Sequence, residues 1–386
     1  MKDKIDPVLE ISSHPFFIGL VDPDTKHNLP MFLPFNLGVH PRYAIPRLIF
    51  THEIRDALNK AYVAGSMIST PLGESKLAKT RMNEMLEKLL SLFNGAIKGK
   101  KFLEVGCGNG ELLNQLKIRG AVVTGLEIGP QANVVEERYR ISVIKDPLTV
   151  DSVTEKFDCI YSYGCLEHIE NIEEFFEASR SCLNENGLFF HSVPNAALSF
   201  ENVQLDHLLH EHINYFTPAN GVALFNAQGF CSAESSLTRA RNELMLWGYY
   251  QVNANSRWLV ERVPEEIEGI RKYAENLNGK INKTLSVLKQ KIEEGLSIGF
   301  YAGGYEYGTR LDIKGIRYFD GDTFKHGKQW LKGMPLIESP EELIATPVDQ
   351  LVVCKPHYFD QIENRLVDLG LNPKNIINID TLASII

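Results

Sequence analysis

Two short stretches hold the residues best suited to chemistry, and the first is built on glycine. It reads KFLEVGCGNGELL, an apolar run that stops at three alternate glycines, Gly106, Gly108 and Gly110. Glycine lets a backbone approach a ligand closely and adopt φ values that a Cβ forbids. Glu104 lies just before these glycines, and a second acid, Glu127, ends the next apolar run. An acid in that second place can accept hydrogen bonds from ribose hydroxyls, so the stretch predicts a ligand that contains a nucleoside.

The second stretch, DHLLHEHINYFT, contains three histidines and an acid: His207, His210, Glu211 and His212. A neutral imidazole is the side chain best suited to accept a proton near pH 7. Three interpretations are open: metal ligands at H-x-H spacing, structural side chains that cap or bridge loops, and a general base. The general base is the favoured one and no metal is expected, because the spacing does not reveal a third ligand.

The elements that must position these residues follow from hydrophobic periodicity. Apolar runs at 101–106, 121–128, 142–146, 157–163 and 187–193 alternate with helical patterns, which predicts a doubly wound parallel sheet. Ligands of such sheets bind at the carboxyl ends of the strands, so Tyr161–His168 should border the same site as the glycines. A helix capped by Thr217 and starting at Pro218 is predicted next, followed by an antiparallel pair of strands.

The E-x-G-x-G-x-G pattern with its downstream acid resembles the class I S-adenosyl-L-methionine (SAM) methyltransferases. The resemblance implies SAM as cofactor, with Glu104 near its amino-acid end and Glu127 on its ribose. The cofactor-binding residues expected on this basis are Glu104, Gly106, Cys107, Gly108, Asn109, Gly110, Glu127, Ile128, Asp146, Pro147 and Tyr163. Tyr62, Gly65 and Ser66 precede the first strand and are further candidates, although ordinary packing is the favoured interpretation for them.

The segment HEHINYFT has a narrower resemblance, to the nucleotide-sugar C-methyltransferases. In that family the last histidine of H-E-H removes the proton beside a ketone, and this residue is His212 here. The tyrosine that the family places before it is replaced by Leu209, so the natural donor to an enolate oxygen is missing. The catalytic candidates are His212, His210, Glu211, Tyr215 and His168.

Oxygen methylation needs only a base and alignment, both of which the sequence retains. We therefore predict transfer to a hydroxyl of a small molecule, a sugar or nucleotide sugar, in carbohydrate biosynthesis. Carbon methylation of a keto-sugar nucleotide is the first alternative. A SAM- or nucleotide-binding protein without catalysis is the second.

The second half of the chain predicts a further α/β domain. A long amphipathic helix over Pro264–Glu294 leads into GLSIGFYAGGYEYG, which has the pattern strand, glycine turn, helix. This half resembles the C-terminal domain of the same sugar methyltransferases, although the lysine of their turn is absent. The substrate-binding candidates are Glu167, Gly303, Gly304 and Tyr305. The glycines do not form G-x-G-x-x-G, so a nicotinamide-dependent oxidoreductase is disfavoured and the turn is interpreted as a phosphate or nucleotide site.

Composition sets the wider frame. A net charge of −9 without a basic block disfavours nucleic acid, and the apolar runs are too short to span a membrane. Six cysteines without a C-x-x-C pair, and a start that is not a signal peptide, predict a cytoplasmic protein. The cysteine pairs of the N-terminal zinc-binding domain of the sugar methyltransferases are not found, so that domain is not expected here.

The fold predicted is α/β, a class I methyltransferase Rossmann-like sheet with a second, smaller C-terminal α/β domain. The expected divisions are 1–60, a Pro- and aromatic-rich extension; 61–255, the SAM-binding domain; 256–296, a helical connector; and 297–386, the C-terminal domain.

Overall fold

The computed structural model describes residues 5–25, 29–63, 75–252, 262–311 and 315–382. The chain forms two compact units. The first contains Met1–Glu10, Phe35–Phe200 and His210–Arg271, and the second contains Ile11–Pro34, Glu201–Leu209 and Lys272–Ile386. The N-terminal residues are therefore shared between the two units. The divisions predicted from the sequence stay predictions, and Gly65 and Ser66 lie outside the described residues.

The described residues contain the following elements. The strands are β1 (Pro7–Pro15), β2 (Phe32–Val39), β3 (Pro46–Leu48), β4 (Lys101–Val105), β5 (Val122–Leu126), β6 (Val143–Ile144), β7 (Phe157–Tyr163), β8 (Leu183–Val193), β9 (Phe230–Leu237), β10 (Leu244–Tyr250), β11 (Ile298–Tyr301), β12 (Arg317–Phe319), β13 (Ile337–Glu338), β14 (Gln350–Val353) and β15 (Ile376–Asn378). The helices are α1 (His52–Val63), α2 (Lys76–Leu92), α3 (Glu111–Ile118), α4 (Gln131–Tyr139), α5 (Ile172–Cys182), α6 (Ala196–Glu201), α7 (Pro218–Ala227), α8 (Val263–Glu293), α9 (Tyr305–Leu311), α10 (Pro340–Ala345), α11 (Phe359–Asp368) and α12 (Ile379–Leu382).

A seven-stranded sheet in the order β6-β5-β4-β7-β8-β10-β9 is the core of the first unit. The first five strands run parallel, and β10 pairs antiparallel with both β8 and β9. The five predicted strands and the closing antiparallel pair are therefore confirmed. Because parallel strands end at one edge, the glycine turn after β4, the acid after β5 and the segment after β7 lie along the same edge of the sheet.

Alternation along the central strands covers both faces of this sheet. In β4, Phe102 packs in one hydrophobic cluster and Leu103 in another, and in β8 Phe190 and Phe189 divide in the same way. All four side chains are fully buried. A strand buried on both faces reads as a continuous apolar run, which is why periodicity located these strands well. The buried sheet gives the functional edge a rigid base.

Helix α7 starts where the sequence predicts it. The Thr217 side chain accepts a hydrogen bond from the Asn220 N–H, and the Asn220 side chain accepts one from the Thr217 N–H. Pro218 occupies the first turn, where a missing N–H costs nothing. This reciprocal cap fixes the chain directly after the segment that holds the histidines.

The second unit contains a five-stranded parallel sheet in the order β13-β12-β11-β14-β15. The prediction of a second α/β fold is confirmed, and so is the long helix, which is α8. The chain continues from β11 outward in one direction through β12 and β13, and returns to the other side of β11 as β14. In open α/β sheets with such a reversal, ligands usually bind at the carboxyl ends of the strands on its two sides, which are β11 and β14 here.

Among the residues described, no helix is both long enough and apolar enough to cross a membrane.

Removing the α7 cap should weaken the first unit. We expect Thr217→Ala to lower the free energy of unfolding by about 1 kcal/mol, since an orphan backbone donor loses its partner. Urea denaturation followed by circular dichroism measures this. Thr154→Ala, at an exposed loop position, is the matched control. Equal stability of the two variants would contradict the role of the cap.

Candidate active site

The glycine turn after β4 forms a close backbone cradle. Gly106 and Cys107 donate their N–H groups to the Leu126 carbonyl, at 2.8 and 3.1 Å. Gly110 starts α3 with φ +72°, and a Cβ on it would lie 2.8 Å from the methyl groups of Val135. Both the left-handed backbone and this contact require glycine. The side chain of Cys107 is buried, so this residue and the glycines can offer a ligand only backbone atoms.

Glu127, at the end of β5, is held by the same turn. Its carboxylate accepts hydrogen bonds from the N–H of Gly108 at 2.9 Å and of Gly129 at 2.8 Å. Ile128 beside it is 55% exposed, which is unusual for a large apolar side chain. Asp146 and Pro147 are exposed and follow β6. The structure thus brings the predicted acid and the glycines into direct contact.

Glu104 is a buried carboxyl in the middle of the sheet. The Tyr161 hydroxyl donates to its Oε2 at 2.9 Å. Burial, together with the nearby charge of Glu127, raises the pKa of Glu104 to about 8, although the Tyr161 hydrogen bond opposes this. A bound cation would relieve the cost of ionising it. The ammonium of SAM is such a cation, so the cradle and this acid fit the cofactor.

A buried network around Tyr163 was not anticipated. The Tyr163 hydroxyl donates to Glu243 at 2.8 Å, and Arg81 forms an ion pair with the same carboxylate at 2.9 Å. Arg81 Nε is buried and lacks a hydrogen-bond partner among the described residues. Tyr163, a predicted cofactor residue, is therefore already committed through its hydroxyl. Arg81 lies on the apolar face of α2 with Met82 and Met85, and a charged residue in such a position is a sequence feature that could have identified it.

Backbone hydrogen bonds join the turn after β7 to the histidine segment. The N–H groups of Ile213 and Asn214 both donate to the Glu167 carbonyl, at 2.7 and 2.9 Å. His168 Nδ1 lies 2.6 Å from the Glu211 carbonyl oxygen, and since a carbonyl only accepts, Nδ1 carries the proton. These bonds hold two segments that are distant in sequence as one structure.

This junction gathers Glu167, His168 and His212. Each offers one ligand-type atom, and these atoms all lie within 4.8 Å of one another. The rings of His168 and His212 are 5.3 Å apart, and His168 Nε2 is 3.7 Å from a Glu167 oxygen. Burial raises the pKa of Glu167 to about 8 and lowers that of His168 to about 4. At neutral pH the His168 imidazole is therefore uncharged.

Strand β3, in the N-terminal extension, is joined to the histidine segment by backbone hydrogen bonds. Leu48 donates its N–H to the Ile213 carbonyl at 2.9 Å, and Tyr215 donates to the Pro46 carbonyl at the same distance. The N-terminal extension, whose role the sequence did not reveal, thus positions the predicted base.

The other catalytic candidates, His210, Glu211 and Tyr215, are not ligand-type members of this cluster. The His210 ring is fully buried, packs edge-on against Phe35 at 5.3 Å and is not part of the cluster. Glu211 contributes its carbonyl to His168, and Tyr215 is buried with its ring 6.4 Å from His212.

Tyr62, on α1, lies near Glu167. Its hydroxyl is buried and has no hydrogen-bond partner in the described part of the chain. Burial, and then the nearby Glu211, Cys165 and Glu167, raise the pKa of Tyr62 well above its usual value. A neutral phenol with a free proton is thus available here as a donor.

The substrate candidates of the second unit follow β11. Gly304 has φ +86°, and a Cβ there would lie 2.5 Å from the Phe300 ring, so packing alone requires glycine. Tyr305 is buried with its ring stacked on Phe17 and Trp330. Gly303, at φ +133°, has more room. Glu167, predicted together with them, belongs to the first unit.

A buried acid lies beside the glycine turn that is predicted to bind a phosphate or nucleotide. Glu306 lies in the first turn of α9 and is buried, and its Oε1 has no partner among the residues described. Burial and the nearby Asp206 raise its pKa to about 7. A phosphate at this turn would lie near this carboxyl, which burial favours in its neutral form, and the phosphate site stays a prediction.

The parallel sheet, the glycine cradle and the two acids define the class of the first unit, which is a class I SAM-dependent methyltransferase fold. Residues 77–233 match the family model described as a methyltransferase domain. This stretch of the chain is therefore similar to a methyltransferase domain.

Individual relatives agree on methyl transfer and differ in acceptor. The ubiquinone biosynthesis O-methyltransferase of Glaesserella parasuis serovar 5 (strain SH0165) is 32% identical over 109 residues, which are 25% of this chain and 46% of that protein. The (S)-tetrahydroprotoberberine N-methyltransferase of Eschscholzia californica is 23% identical over 247 residues, 60% of this chain and 63% of that protein. The chain thus spans about half to two thirds of the length of these relatives.

Among solved structures, the chain is similar to the 1,6-didemethyltoxoflavin-N1-methyltransferase of Burkholderia thailandensis, with bound 1,6-didemethyltoxoflavin and S-adenosylhomocysteine. The sequence identity is 16%, the TM-score is 0.40, and the match covers 56% of this chain and 96% of that one. This likeness is too distant to extend to the bound ligands.

Glu104 should make the stability of the protein depend on pH. Its pKa is higher in the folded than in the unfolded chain, so folding is penalised as pH rises from about 4.5 to 8. We expect Glu104→Gln to remove more than about 1 kcal/mol of this loss, while weakening SAM binding. Thermal unfolding at pH 5 and 8 and calorimetry with SAM measure the two effects. The exposed Glu155→Gln is the control. A pH dependence identical to wild type would contradict the raised pKa.

Proposed function

We propose that the protein transfers the methyl group of SAM to an oxygen of a small-molecule acceptor. One observation carries the proposal: the Glu167–His168–His212 cluster adjoins the cofactor cradle. A Cβ on Gly106 would lie 3.1 Å from Cys165 Sγ, two residues before Glu167. The cradle and the cluster therefore share one edge of the sheet.

The chemistry asked of these residues is modest. SAM supplies the methyl group on a sulfonium. The acceptor oxygen attacks the methyl carbon in line, the carbon–sulfur bond breaks with its electrons moving to sulfur, and S-adenosylhomocysteine leaves. The protein must align the acceptor, exclude water and accept the hydroxyl proton. We assign proton removal to the cluster, with His212 as the base.

The surroundings of His212 support this assignment. Its ring lies 5.3 Å from that of His168 and 6.4 Å from that of Tyr215, and the backbone of its segment is fixed at Ile213. A base held in one orientation loses little entropy when the acceptor binds. His168 stays neutral at ordinary pH and so does not repel a proton arriving on His212.

Oxygen is the acceptor atom that we favour. The relatives named ubiquinone biosynthesis O-methyltransferases are, by their name, enzymes that methylate oxygen. The resemblance of HEHINYFT to sugar methyltransferases supports a sugar or nucleotide-sugar hydroxyl. A SAM-binding protein without catalysis would have no use for the buried cluster.

Tyr62 favours a second candidate, carbon methylation of a keto sugar. That route forms an enolate and needs a donor to its oxygen. Tyr161 and Tyr163 are committed to Glu104 and Glu243, whereas the Tyr62 hydroxyl has no partner among the described residues. Tyr62 therefore offers the donor that Leu209 cannot supply.

His212→Ala should separate binding from turnover. We expect turnover of the acceptor to fall about a hundredfold or more, since the base is lost. SAM affinity, measured by calorimetry, should not change. The control is His52→Ala, at a highly exposed histidine of α1. Absence of SAM binding by the wild-type chain at millimolar ligand would overturn the proposed function.

Deuterium exchange distinguishes the two acceptor atoms. Incubation of the enzyme with a keto-sugar nucleotide in D2O, without SAM, should leave the carbon beside the ketone unlabelled if the acceptor is oxygen. Label that appears with wild type and is lost in Tyr62→Phe would establish the enolate route. Mass spectrometry of products from a panel of nucleotide sugars identifies the acceptor itself.

A further inference from the structure

We propose that Glu167, His168 and His212 bind one divalent transition-metal ion beside the cofactor cradle. Binding of the ion is independent of the proposed function, and only its catalytic use rests on that function.

The geometry is already close to that of a coordination sphere. The three ligand-type atoms lie within 4.8 Å of one another, and His168 Nε2 is 3.7 Å from a Glu167 oxygen. Ligands about 2.0–2.2 Å from an ion lie roughly 3 to 3.5 Å apart, so a small contraction suffices. The backbone bonds from Ile213 and Asn214 to Glu167 keep the two contributing segments together.

His168 is oriented as a metal ligand. Its Nδ1–H donates to the Glu211 carbonyl at 2.6 Å, so the lone pair is on Nε2, the atom that faces Glu167. A histidine that binds metal almost always donates its other ring N–H to such an acceptor, which fixes the tautomer and raises the basicity of the ligating nitrogen.

Glu167 supplies the second, independent sign of a missing ligand. Its side chain is 3% exposed, and its Oε2 has no hydrogen-bond partner among the described residues. Leaving a buried carboxylate oxygen without a partner is costly. A cation between Glu167 and the imidazoles would give this oxygen a partner.

The ligand types select the metal. Two imidazoles and one carboxylate suit Zn²⁺, Fe²⁺, Mn²⁺ or Co²⁺, whereas Mg²⁺ and Ca²⁺ prefer oxygen ligands. Three protein ligands leave a position for an acceptor hydroxyl. Coordinated there, the hydroxyl would lose its proton to solvent at neutral pH before the oxygen attacks the methyl carbon. With the ion bound, His212 would act as a ligand instead of as the base, and the ion would lower the pKa of the acceptor hydroxyl in place of direct proton transfer to His212.

Cobalt substitution tests binding without any assay of activity. We expect the full chain, stripped with chelator, to bind one Co²⁺ and to develop a visible d–d absorption band that Zn²⁺ removes. Glu167→Gln, His168→Ala and His212→Ala should each weaken Co²⁺ binding by at least about tenfold. His52→Ala should leave it unchanged, and SAM calorimetry with circular dichroism shows that each variant is folded.

Turnover then connects the ion to catalysis. Chelator should abolish methyl transfer, and Zn²⁺, Mn²⁺ or Co²⁺ should restore it. Failure of the stripped chain to bind Co²⁺ or Zn²⁺ while it still binds SAM would overturn the metal site and leave the proposed function standing. The site would equally be refuted if His212→Ala lost turnover with an unchanged Co²⁺ affinity, since that result assigns His212 as a base alone. Metal binding by a chain that does not bind SAM would support the site and overturn the proposed function.

Discussion

The candidate active site depends on one backbone group, the carbonyl of Glu167. It accepts the N–H groups of Ile213 and Asn214, and the neighbouring His168 returns a bond to the Glu211 carbonyl. The net contribution of each such hydrogen bond to the free energy of folding is modest, about 1 kcal/mol. Breaking a buried one, however, leaves a polar group without a partner. Because both segments are buried, the bonds form together, and the position of His212 relative to Glu167 is set by backbone geometry.

Two buried carboxyls at this edge of the sheet lower the stability of the first unit. Glu104 and Glu167 both have a raised pKa, because burial penalises their charged forms. Without a ligand these groups reduce the stability of the first unit at neutral pH, since folding favours their protonated forms. A ligand that carries positive charge stabilises the ionised form of such a carboxyl, so a cation is the ligand that these residues favour. SAM beside Glu104 and a metal ion beside Glu167 both meet that requirement.

The sequence predicted what is local and could not predict what tertiary contacts decide. The strands around Gly106 and Glu127 were located because strands buried on both faces are apolar throughout, and the α7 cap because Thr217 and Pro218 are adjacent. Arg81 and Glu243 lie far apart in the chain, so no spacing rule joins them. The H-x-H spacing suggests His210 and His212 as metal ligands, whereas the cluster in the structure joins His212 to Glu167 and His168, which only folding brings near it.

The second unit shows how a familiar local pattern can carry different chemistry. Its glycine turn follows the central strand of a parallel sheet, as in dinucleotide-binding folds, and Asp320 follows the next strand. Asp320, however, already accepts hydrogen bonds from the Lys325 ammonium at 2.7 Å and the Asp322 N–H at 2.9 Å. Glu306 places a buried carboxyl where a phosphate would need donors. A dinucleotide would therefore find its ribose acceptor already hydrogen-bonded and a buried carboxyl beside its phosphates. Both features disfavour the nicotinamide interpretation, as does the missing G-x-G-x-x-G pattern.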